Sequence, residues 1–353
     1  MRQRTPVTLI GPMPPPVDGQ SMVMRHMVSH CHARFPGLRV ADIAEPAATG
    51  RLRALTKLTR SARAWRSIPG SKVVYLAVKA DRGMWLTTST ALVARLFRAR
   101  IFLHHHSYTY LRQRTPRMVA LTRAAGPQAH HIVLAQSMQR VLRAVMPEIR
   151  TVLVMNNAGL VDRSLLDLSL TDDGDELVLG HLSNLYLDKG IAEVVDLALA
   201  LHQAGTRARL VVAGPIAQEE CRDHLARAAE GLGALFDYRG PVAGETKHAF
   251  FQEITHFVFP TRYVHESVPL VLYEAMAAGV VCVSTRHGSI PEQLADGPAI
   301  VAADKDSFVV DTLPLFIGAS ATRADSAASR DCYLRALRDF EEQLRVFVEH
   351  VTD

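Results

Sequence analysis

The carboxylates Glu266 and Glu274 stand eight residues apart in the segment Glu-Ser-Val-Pro-Leu-Val-Leu-Tyr-Glu. The segment follows an apolar run typical of a strand, so Glu266 is predicted in a loop and Glu274 inside the helix that follows. Apolar residues separate the two, and a carboxylate in such surroundings needs a hydroxyl or cationic partner. A vicinal diol, as on a ribose, meets that need because one carboxylate accepts two hydrogen bonds. The alternative is a helix with one solvated glutamate and one capping glutamate.

A single lysine, Lys189, stands at the end of a second strand-to-helix segment, Gly-His-Leu-Ser-Asn-Leu-Tyr-Leu-Asp-Lys-Gly over 180–190. The pattern predicts a helix that begins near Lys189. An ammonium group at a helix N-terminus suits a diphosphate, because the side chain supplies charge and the helix supplies N–H donors. The exposed N–H groups near 267–270 would add donors for phosphate oxygens. The alternative is an exposed surface lysine.

The run Leu-His-His-His-Ser-Tyr over 103–108 places histidines at a predicted strand end. On an extended strand His104 and His106 share a face, and imidazoles there can hydrogen-bond a sugar hydroxyl or exchange a proton. For any one of these histidines, a purely structural role is the competing interpretation. No further ligand stands at a spacing that suits a metal, so no metal site is predicted.

Two glycine-containing loops follow predicted strands. The first, from Gly11 to Gly19, contains neither the G-x-G-x-x-G of dinucleotide-binding proteins nor the G-K-[ST] of a P-loop. Glycines there would let the backbone approach a ligand closely, or the loop is only stiffened by its prolines. The second, Gly-Ser-Ile-Pro-Glu over 288–292, repeats the order of strand, glycine turn and helix.

Short, continuous apolar runs alternate with helical stretches along the chain, which predicts β-α-β units with parallel sheets buried on both faces. The predicted strands are 7–10, 38–43, 73–78, 100–104, 131–135, 151–155, 177–182, 209–213, 235–239, 256–260, 280–284 and 298–302. Two series of six strands indicate an α/β protein with two doubly wound domains. We expect domains at 1–160 and 161–325 around a turn-rich, acidic linker at 159–176, with a terminal helix in 326–353.

Charge divides the chain sharply. Residues 1–158 hold 24 Lys and Arg against 5 Asp and Glu, a balance of +19, and residues 159–353 hold 16 against 30, a balance of −14. The basic half is expected to meet an anionic partner. Within it, Arg51–Ile68 has Leu55, Leu58, Ala62 and Trp65 at helical spacing among basic residues, which suits an anionic membrane surface. A core-packing helix with a solvated basic face is the alternative.

The compartment is predicted from what the sequence does not contain. The cysteines Cys31, Cys221, Cys282 and Cys332 form no metal-ligand pattern, which favours free thiols in a reducing cytoplasm. No apolar run reaches 18 residues, and the apolar run near the start is only four residues long. Neither a transmembrane helix nor a signal peptide is predicted. We expect a cytoplasmic protein, with peripheral attachment at the inner face of the cytoplasmic membrane.

Together these segments resemble the retaining glycosyltransferases of family 4 (glycosyl transferases group 1). The matching pieces are the loop after the first strand, the segment at 180–190, the Glu-Ser-x-Pro-x-x-x-x-Glu-Ala-Met-Ala-x-Gly motif at 266–279 and the Gly-x-Ile-Pro-Glu motif at 288–292. The resemblance implies the GT-B fold: two Rossmann-like parallel-sheet domains facing a cleft, with a C-terminal helix that crosses back to the first domain.

The resemblance also implies roles for individual residues. Glu274 would bind the ribose of a nucleotide-sugar, Glu266 the transferred sugar, and Lys189 the diphosphate. The other implied donor-side residues are Gly11, Gly19, Ser183, Asn184, Ser267, Pro269 and Leu270. The implied acceptor-side residues are His104, His106 and Tyr108. The implied catalytic residues are Lys189, Glu266 and His106. The place where many members carry an arginine reads His181 here, which puts the strength of donor binding in question.

The implied activity is that of a hexosyltransferase-type enzyme. It would move a sugar from a nucleoside-diphosphate sugar to an anionic or lipid-linked glycan acceptor, with retention and without a metal or cofactor, in bacterial-type polysaccharide or glycolipid biosynthesis. One alternative is a nucleotide-sugar epimerase of the same fold, or an inactive binding homologue. Another is a basic nucleic-acid-binding protein, which the shortage of aromatic residues (6%) disfavours.

Overall fold

The structure of the protein, a computed structural model, describes residues 5–15, 19–44, 51–172, 176–318 and 322–352, with only the backbone for 51–58. The chain divides into two compact units. The first consists of Met1–Leu160 with Asp339–Asp353, and the second of Val161–Arg338. The sequence placed the end of the second domain at residue 325; the division lies further along, inside the last helix.

The first unit is built around a parallel sheet with the order β2-β1-β3-β4-β5-β6. Its elements in chain order are β1 (Val7–Gly11), α1 (Gly19–His32), β2 (Arg39–Asp42), α2 (Arg51–Arg66), β3 (Val73–Val78), α3 (Met84–Leu96), β4 (Arg100–His105), α4 (Pro116–Ala125), β5 (His130–Val133), α5 (Gln136–Val145) and β6 (Thr151–Val154). Strand β1 and strand β3 are buried along their whole length, as apolar runs covered on both faces should be.

The second unit repeats the plan, with the strand order β12-β11-β10-β7-β8-β9. Its elements are β7 (Leu177–Leu182), α6 (Ile191–Gln203), β8 (Ala208–Ala213), α7 (Cys221–Leu232), β9 (Phe236–Tyr238), α8 (Glu245–Glu253), β10 (His256–Phe259), α9 (Leu270–Ala277), β11 (Val281–Thr285), α10 (Ile290–Gln293), β12 (Ile300–Ala302), α11 (Phe308–Phe316) and α12 (Arg323–Thr352). The twelve predicted strands and the α/β class are confirmed, with strand bounds within two residues of those expected.

The last helix, α12, packs into both units. In the second unit, Arg330 donates hydrogen bonds to the carbonyl groups at the end of α9. In the first unit, Phe347 packs edge-on against Phe102 of β4. The apolar spacing that predicted a helix over 326–349 is confirmed, and the residues that carry it are all buried: Tyr333, Leu337, Phe340, Leu344 and Phe347.

The predicted linker at 159–176 needs correction at its start. Gly159 lies in a short, fully buried 3-10 turn, Ala158–Leu160, and packs under Phe340. A side chain at this position would have no space, so the glycine is a packing residue and not a linker residue. Residues 173–175 of the predicted linker lie outside the described residues.

The basic segment Arg51–Ile68 forms helix α2 and the turn after it, as its spacing predicts. The side chains of Leu55 and Leu58 lie outside the described part of the helix. Trp65 is exposed, whereas Ala64 and Ile68 are buried. Among the residues that the structure describes, no helix is both long enough and apolar enough to cross a membrane.

Candidate functional site

Strand order in the second sheet reverses between β7 and β10. The chain runs from β7 through β8 to β9 on one side, and then returns to β10, β11 and β12 on the other. In doubly wound sheets the two loops at such a reversal diverge and leave a crevice at the carboxyl edge, where ligands bind. The loops after β7 and β10 carry Lys189 and Glu266, which the sequence singled out.

The structure brings Lys189 and Glu266 together. The ammonium group of Lys189 donates to the carboxylate of Glu266, and both side chains are mostly buried, 17% and 13% exposed. The Lys189 Nζ atom also lies 4.5 Å from the ring centroid of Tyr263 and 5.5 Å from that of Phe259. Aromatic faces favour a cation at this distance. The pair therefore forms a partly desolvated site that holds one positive and one negative group.

Backbone contacts between the two loops fix this meeting. Gly190 has a φ of 92°, and a Cβ on it would lie 2.6 Å from the carbonyl oxygen of Pro260. Only glycine permits this approach. Arg262 extends the junction, because its N–H donates to the carbonyl oxygen of Asp188 at 2.8 Å and its guanidinium pairs with the Asp188 carboxylate at 3.0 Å. Helix α6 begins at Ile191, just beyond Lys189.

The loop that carries Glu266 is held from its other side by the Gly-Ser-Ile-Pro-Glu motif. Gly288 has a φ of 56°, and a Cβ there would lie 2.9 Å from the carbonyl oxygen of Glu266. The Ser289 N–H donates to the carbonyl oxygen of Ser267 at 3.0 Å, and His287 Nε2 donates to that of Tyr263 at 2.8 Å. The motif predicted from the sequence thus positions Glu266 through backbone contacts.

Helix α9 begins at Leu270, directly after this loop, with Pro269 as the capping residue and no side chain that caps it. The first N–H groups of a helix have no partner inside the helix, so this terminus suits an oxyanion. The carbonyl oxygen of Pro269 accepts from Gln293 at 3.0 Å, which anchors the terminus to α10. Ser267 and Pro269 are buried and Leu270 is half-buried, so they are placed to act through their backbone.

Glu274 lies inside α9, as predicted, and its side chain is mostly buried. Its partner is a cation that the sequence analysis missed: Lys247 of α8, whose Nζ lies 2.6 Å from Glu274 Oε1. The apolar neighbours of Glu274 required a hydroxyl or a cation, and the chain itself supplies the cation. A signal was present, because Lys247 lies in the first turn of a helix that follows β9, and a lysine near the start of a helix after a strand is the pattern that singled out Lys189.

His181 occupies the place where an arginine was expected. It is fully buried on β7, and its Nδ1–H donates to the carbonyl oxygen of Val258 at 2.9 Å. Burial is the main cause that lowers the pKa of His181 to about 4, and the nearby Lys189 lowers it further. The ring is therefore neutral at pH 7, and its Nε2 accepts a hydrogen bond from the Ser183 hydroxyl at 3.0 Å. Ser183 is left as an acceptor toward a ligand, while Asn184 is exposed.

The glycines of the first loop belong to the first unit. Gly11 ends β1, and a Cβ there would meet Met24 Sδ at 2.7 Å and Ala77 Cβ at 2.9 Å, so packing alone requires a glycine. Gly19 begins α1 and has open space around it. Residues 16–18 of the loop lie outside the described residues. Asp42 Oδ1 accepts from the Met13 N–H at 2.9 Å and fixes the near side of the loop.

The histidine segment requires a correction. His104 and His106 share a face, with ring centroids 4.2 Å apart. However, His104 is 1% exposed and its Nδ1 accepts from the hydroxyl of Tyr75. A sugar cannot contact it in this conformation, because β4 is covered on both faces and its side chains enter the core. Tyr108 is also buried, and the guanidinium carbon of Arg112 lies 4.8 Å from its ring centroid.

His106 is half-buried as a residue, but both of its ring nitrogens are buried. Burial lowers its pKa to about 3. A ring that stays neutral at pH 7 cannot act as a general acid, and with its nitrogens buried it does not reach a ligand hydroxyl in this conformation. The catalytic and acceptor-side role predicted for His106 therefore needs the same correction as that of His104. On the other face of the strand, His105 Nε2 and His131 Nδ1 are hydrogen-bonded at 2.9 Å, with an angle of 7° between the two ring planes. Burial also lowers the pKa of His131 to about 3. The strands β4 and β5 therefore contain a cluster of neutral imidazoles in the core of the first unit.

This cluster predicts acid sensitivity. A histidine whose pKa falls from 6.5 to about 3 on folding binds a proton only in the unfolded state over that range. The first unit should then lose about 1.4 kcal/mol of stability per pH unit for each such histidine as the pH falls below 6.5. We expect His131→Gln to reduce this slope by about 1.4 kcal/mol per pH unit. Urea unfolding followed by tryptophan fluorescence measures it, since both tryptophans, Trp65 and Trp85, lie in the first unit.

The measured quantity is the slope of the free energy of unfolding against pH, so a variant that is less stable at every pH is still informative. His32→Gln is the matched control, because His32 lies in the same unit and is exposed. An unchanged slope in His131→Gln would contradict the assignment.

No cluster of three or more His, Cys, Asp or Glu side chains suited to a metal ion is found in the described parts of the chain. The site instead consists of two Lys–Glu pairs, a helix N-terminus and a strand reversal, all within 177–293. Residues 176–315 match the family model of glycosyl transferases group 1.

One known protein is similar to part of this chain in sequence. EpsF of Bacillus subtilis (strain 168), a glycosyltransferase by name, is 31% identical over 129 residues. The matched stretch is 36% of this chain and 31% of EpsF, so the chain matches about a third of the length of that relative.

Solved structures resemble nearly the whole chain in fold. Anabaena Alr3699/HepE, solved in complex with UDP-glucose, has a TM-score of 0.68 and 13% identity, with 96% of this chain and 99% of that chain covered. Sucrose-phosphate synthase from Thermosynechococcus elongatus has a TM-score of 0.70 and 15% identity, with 98% and 100% covered. At these identities the likeness establishes the fold, and it confirms the predicted GT-B class.

Proposed function

We propose that the protein is a retaining glycosyltransferase of family 4 that transfers a hexose from a nucleoside-diphosphate sugar. The observation that carries the proposal is the Lys189–Glu266 pair at the strand reversal between β7 and β10. It lies inside the segment that matches the glycosyl transferase family model. A cation for a diphosphate and a carboxylate for a sugar stand side by side there.

The donor would be held by the groups already described. Lys189 and the uncapped N-terminus of α9 would bind the diphosphate, Glu266 would accept from hydroxyls of the sugar, and Glu274 would accept from the ribose. The HepE structure was solved with UDP-glucose, which makes UDP the first nucleotide to test. Glu274 now pairs with Lys247, so a ribose would replace the ammonium group as its partner or share the carboxylate with it.

The transfer step needs stabilisation of the leaving group above all. The bond from the anomeric carbon to the diphosphate oxygen breaks, and a bond to the acceptor hydroxyl oxygen forms on the same face. A phosphate oxygen takes the proton of that hydroxyl. Negative charge grows on the diphosphate as it leaves, and Lys189 with the α9 N–H groups would stabilise it in a partly dry site. We assign this task to these groups without a metal ion.

The acceptor is proposed from charge. The balance of +19 over residues 1–158 favours an anionic or lipid-linked glycan acceptor. We propose that transfer takes place at the inner face of the cytoplasmic membrane, with the Arg51–Ile68 region on its anionic surface, in bacterial-type polysaccharide or glycolipid synthesis.

A nucleotide panel tests the proposal. Scanning calorimetry of the full chain with UDP, GDP or ADP should show that one of them raises the unfolding temperature, because a ligand that binds only the folded state stabilises it. Glu274→Gln should abolish that rise. Glu245→Gln is the control, since Glu245 is an exposed carboxylate on the helix that carries Lys247. The proposal is overturned if no nucleotide stabilises the chain, or if Glu274→Gln responds as the control does.

A further inference from the structure

Helix α3 presents large apolar side chains to solvent. Trp85, Leu92, Leu96 and Phe97, hereafter the α3 ridge, are between 48% and 73% exposed. Trp85, Leu92 and Leu96 are spaced by seven and four residues, so they lie on one side of the helix. A group of exposed large apolar side chains on one element is typical of an interaction site. Nothing in the catalytic proposal uses it.

The opposite side of α3 is firmly packed. Thr87, Thr90, Ala91 and Ala94 are buried, and the helix packs against α4 and β3 of the same unit. Because small residues fix this face against the sheet, the ridge is held pointing away from the core of the first unit. The exposure is therefore a stable property of the helix and not a consequence of loose packing.

Basic side chains lie on α3 and directly beside its two ends. Arg82, Arg95 and Arg98 are exposed, and in the part of the chain that the structure describes none of them forms an ion pair. Residues 51–147 contain 18 Lys and Arg against a single acidic residue, Asp81. Helix α2, which packs on α3, adds the exposed Trp65.

We propose that α3 is a membrane-docking helix: the α3 ridge enters the boundary between headgroups and acyl chains of an anionic lipid surface, and the arginines beside it bind the lipid phosphates. An apolar ridge with a basic border is the chemistry that such a surface recognises. A second copy of this chain fits less well, because a symmetric contact would bring the arginines of both copies together. A nucleic acid would leave Leu92 and Leu96 without apolar partners.

This inference rests on the part of the proposed function that places an anionic membrane beside the first unit, and not on the transfer reaction. It also assigns the apolar contact to a different element. The sequence placed the membrane contact on Arg51–Ile68, whose side chains are described only from residue 59 onward. Of the six large apolar side chains that are exposed in the described part of the first unit, four belong to the α3 ridge. Vesicle binding requires no donor, so its outcome is independent of the nucleotide panel.

The two tryptophans allow a direct experiment, because the chain has no others. In Trp65→Phe, the only remaining indole is that of Trp85 on the ridge. We expect its emission to shift to shorter wavelength on vesicles that contain phosphatidylglycerol, and to be quenched by lipids brominated on their acyl chains. Vesicles of phosphatidylcholine alone should produce neither effect, and added salt should reduce both.

A matched pair of variants separates the ridge from general apolar exposure. Leu96→Ser/Phe97→Ser should lower the partition coefficient on phosphatidylglycerol vesicles at least about tenfold, since each side chain loses apolar burial. Val310→Ser/Ile317→Ser, at comparably exposed positions of the second unit, should leave it unchanged. The proposal is overturned if the protein does not bind the vesicles or if the emission of Trp85 does not change when they are added. It is also overturned if the two double variants lose the same factor in partition coefficient, or if the protein is a dimer that dissociates in Leu96→Ser/Phe97→Ser.

Discussion

Lys189→Met is expected to weaken nucleoside diphosphate binding about thirtyfold. A hydrogen bond to a charged group contributes about 2 kcal/mol, and the ammonium of Lys189 is the cation that meets Glu266 at the strand reversal. Binding of the bare nucleoside should change little, because the base and ribose do not contact this lysine in the proposed arrangement. Isothermal titration with the diphosphate and the nucleoside measures both effects on the same protein.

Lys305→Met provides the control for this experiment. Lys305 pairs with Glu193 in the same unit, at 2.6 Å, and the two side chains are 15% and 12% exposed, close to the values for Lys189 and Glu266. Loss of such a pair costs stability in both variants, but only Lys189→Met should lose diphosphate affinity. Equal affinities in the two variants would refute a diphosphate role for Lys189.

The same site makes Glu266→Gln act in the opposite direction. Without the carboxylate, the ammonium of Lys189 is no longer neutralised, so the nucleoside diphosphate should bind more tightly than in the original protein. Turnover of the sugar nucleotide should fall, because the hydroxyl groups of the sugar lose the charged carboxylate that accepts their hydrogen bonds. If the two variants change diphosphate affinity in the same direction, the division of labour between Lys189 and Glu266 is wrong.

Gly159→Ala is expected to destabilise the first unit by about 3 kcal/mol. A Cβ at this position would lie 1.9 Å from Cδ1 of Phe340, which is itself buried. Core positions without space respond to an added methyl by shifts of side chains and backbone. His30 constrains the site further, because its Nε2 lies 3.3 Å from the Gly159 carbonyl oxygen and its ring packs on Phe340. Urea unfolding followed by tryptophan fluorescence reports this unit.

Two further variants make the result specific. Gly159→Ala/Phe340→Leu should recover part of the loss, since the smaller side chain leaves room for the methyl group. Gly19→Ala, in the same unit, has no atom within 4 Å of the added Cβ and should change stability by about 0.5 kcal/mol or less. A loss below about 1 kcal/mol in Gly159→Ala would show that α12 can move away at little cost.

The sheets were predictable because their information is local. Strands such as Val73–Val78 are covered on both faces, so each appears in the sequence as an unbroken apolar run with a turn after it. The same locality explains Glu266, Glu274 and Lys189: each follows a strand within a short motif. Parallel strands put all such positions at one edge of a sheet, so the meeting of Lys189 and Glu266 followed from strand order.

What escaped prediction depends on contacts between distant parts of the chain. Lys247 became the partner of Glu274 because α8 packs near α9, which spacing alone does not encode. His104 was taken for a surface ligand because a strand end looks the same in sequence whether its side chain meets solvent or Tyr75. Gly159 was interpreted as part of a linker because its neighbour Phe340 lies far along the chain, in the final helix.

The salt bridge between Lys189 and Glu266 has a consequence for selectivity. Because the two charges cancel, Lys189 attracts inorganic phosphate or another small anion less strongly than an unpaired lysine would. A ligand gains from entering only if it replaces both halves of the bridge, with an oxyanion for the ammonium and hydroxyl groups for the carboxylate. An anion without hydroxyl groups would bind Lys189 and leave the Glu266 carboxylate without a partner, so the salt bridge would favour ligands that carry both kinds of group.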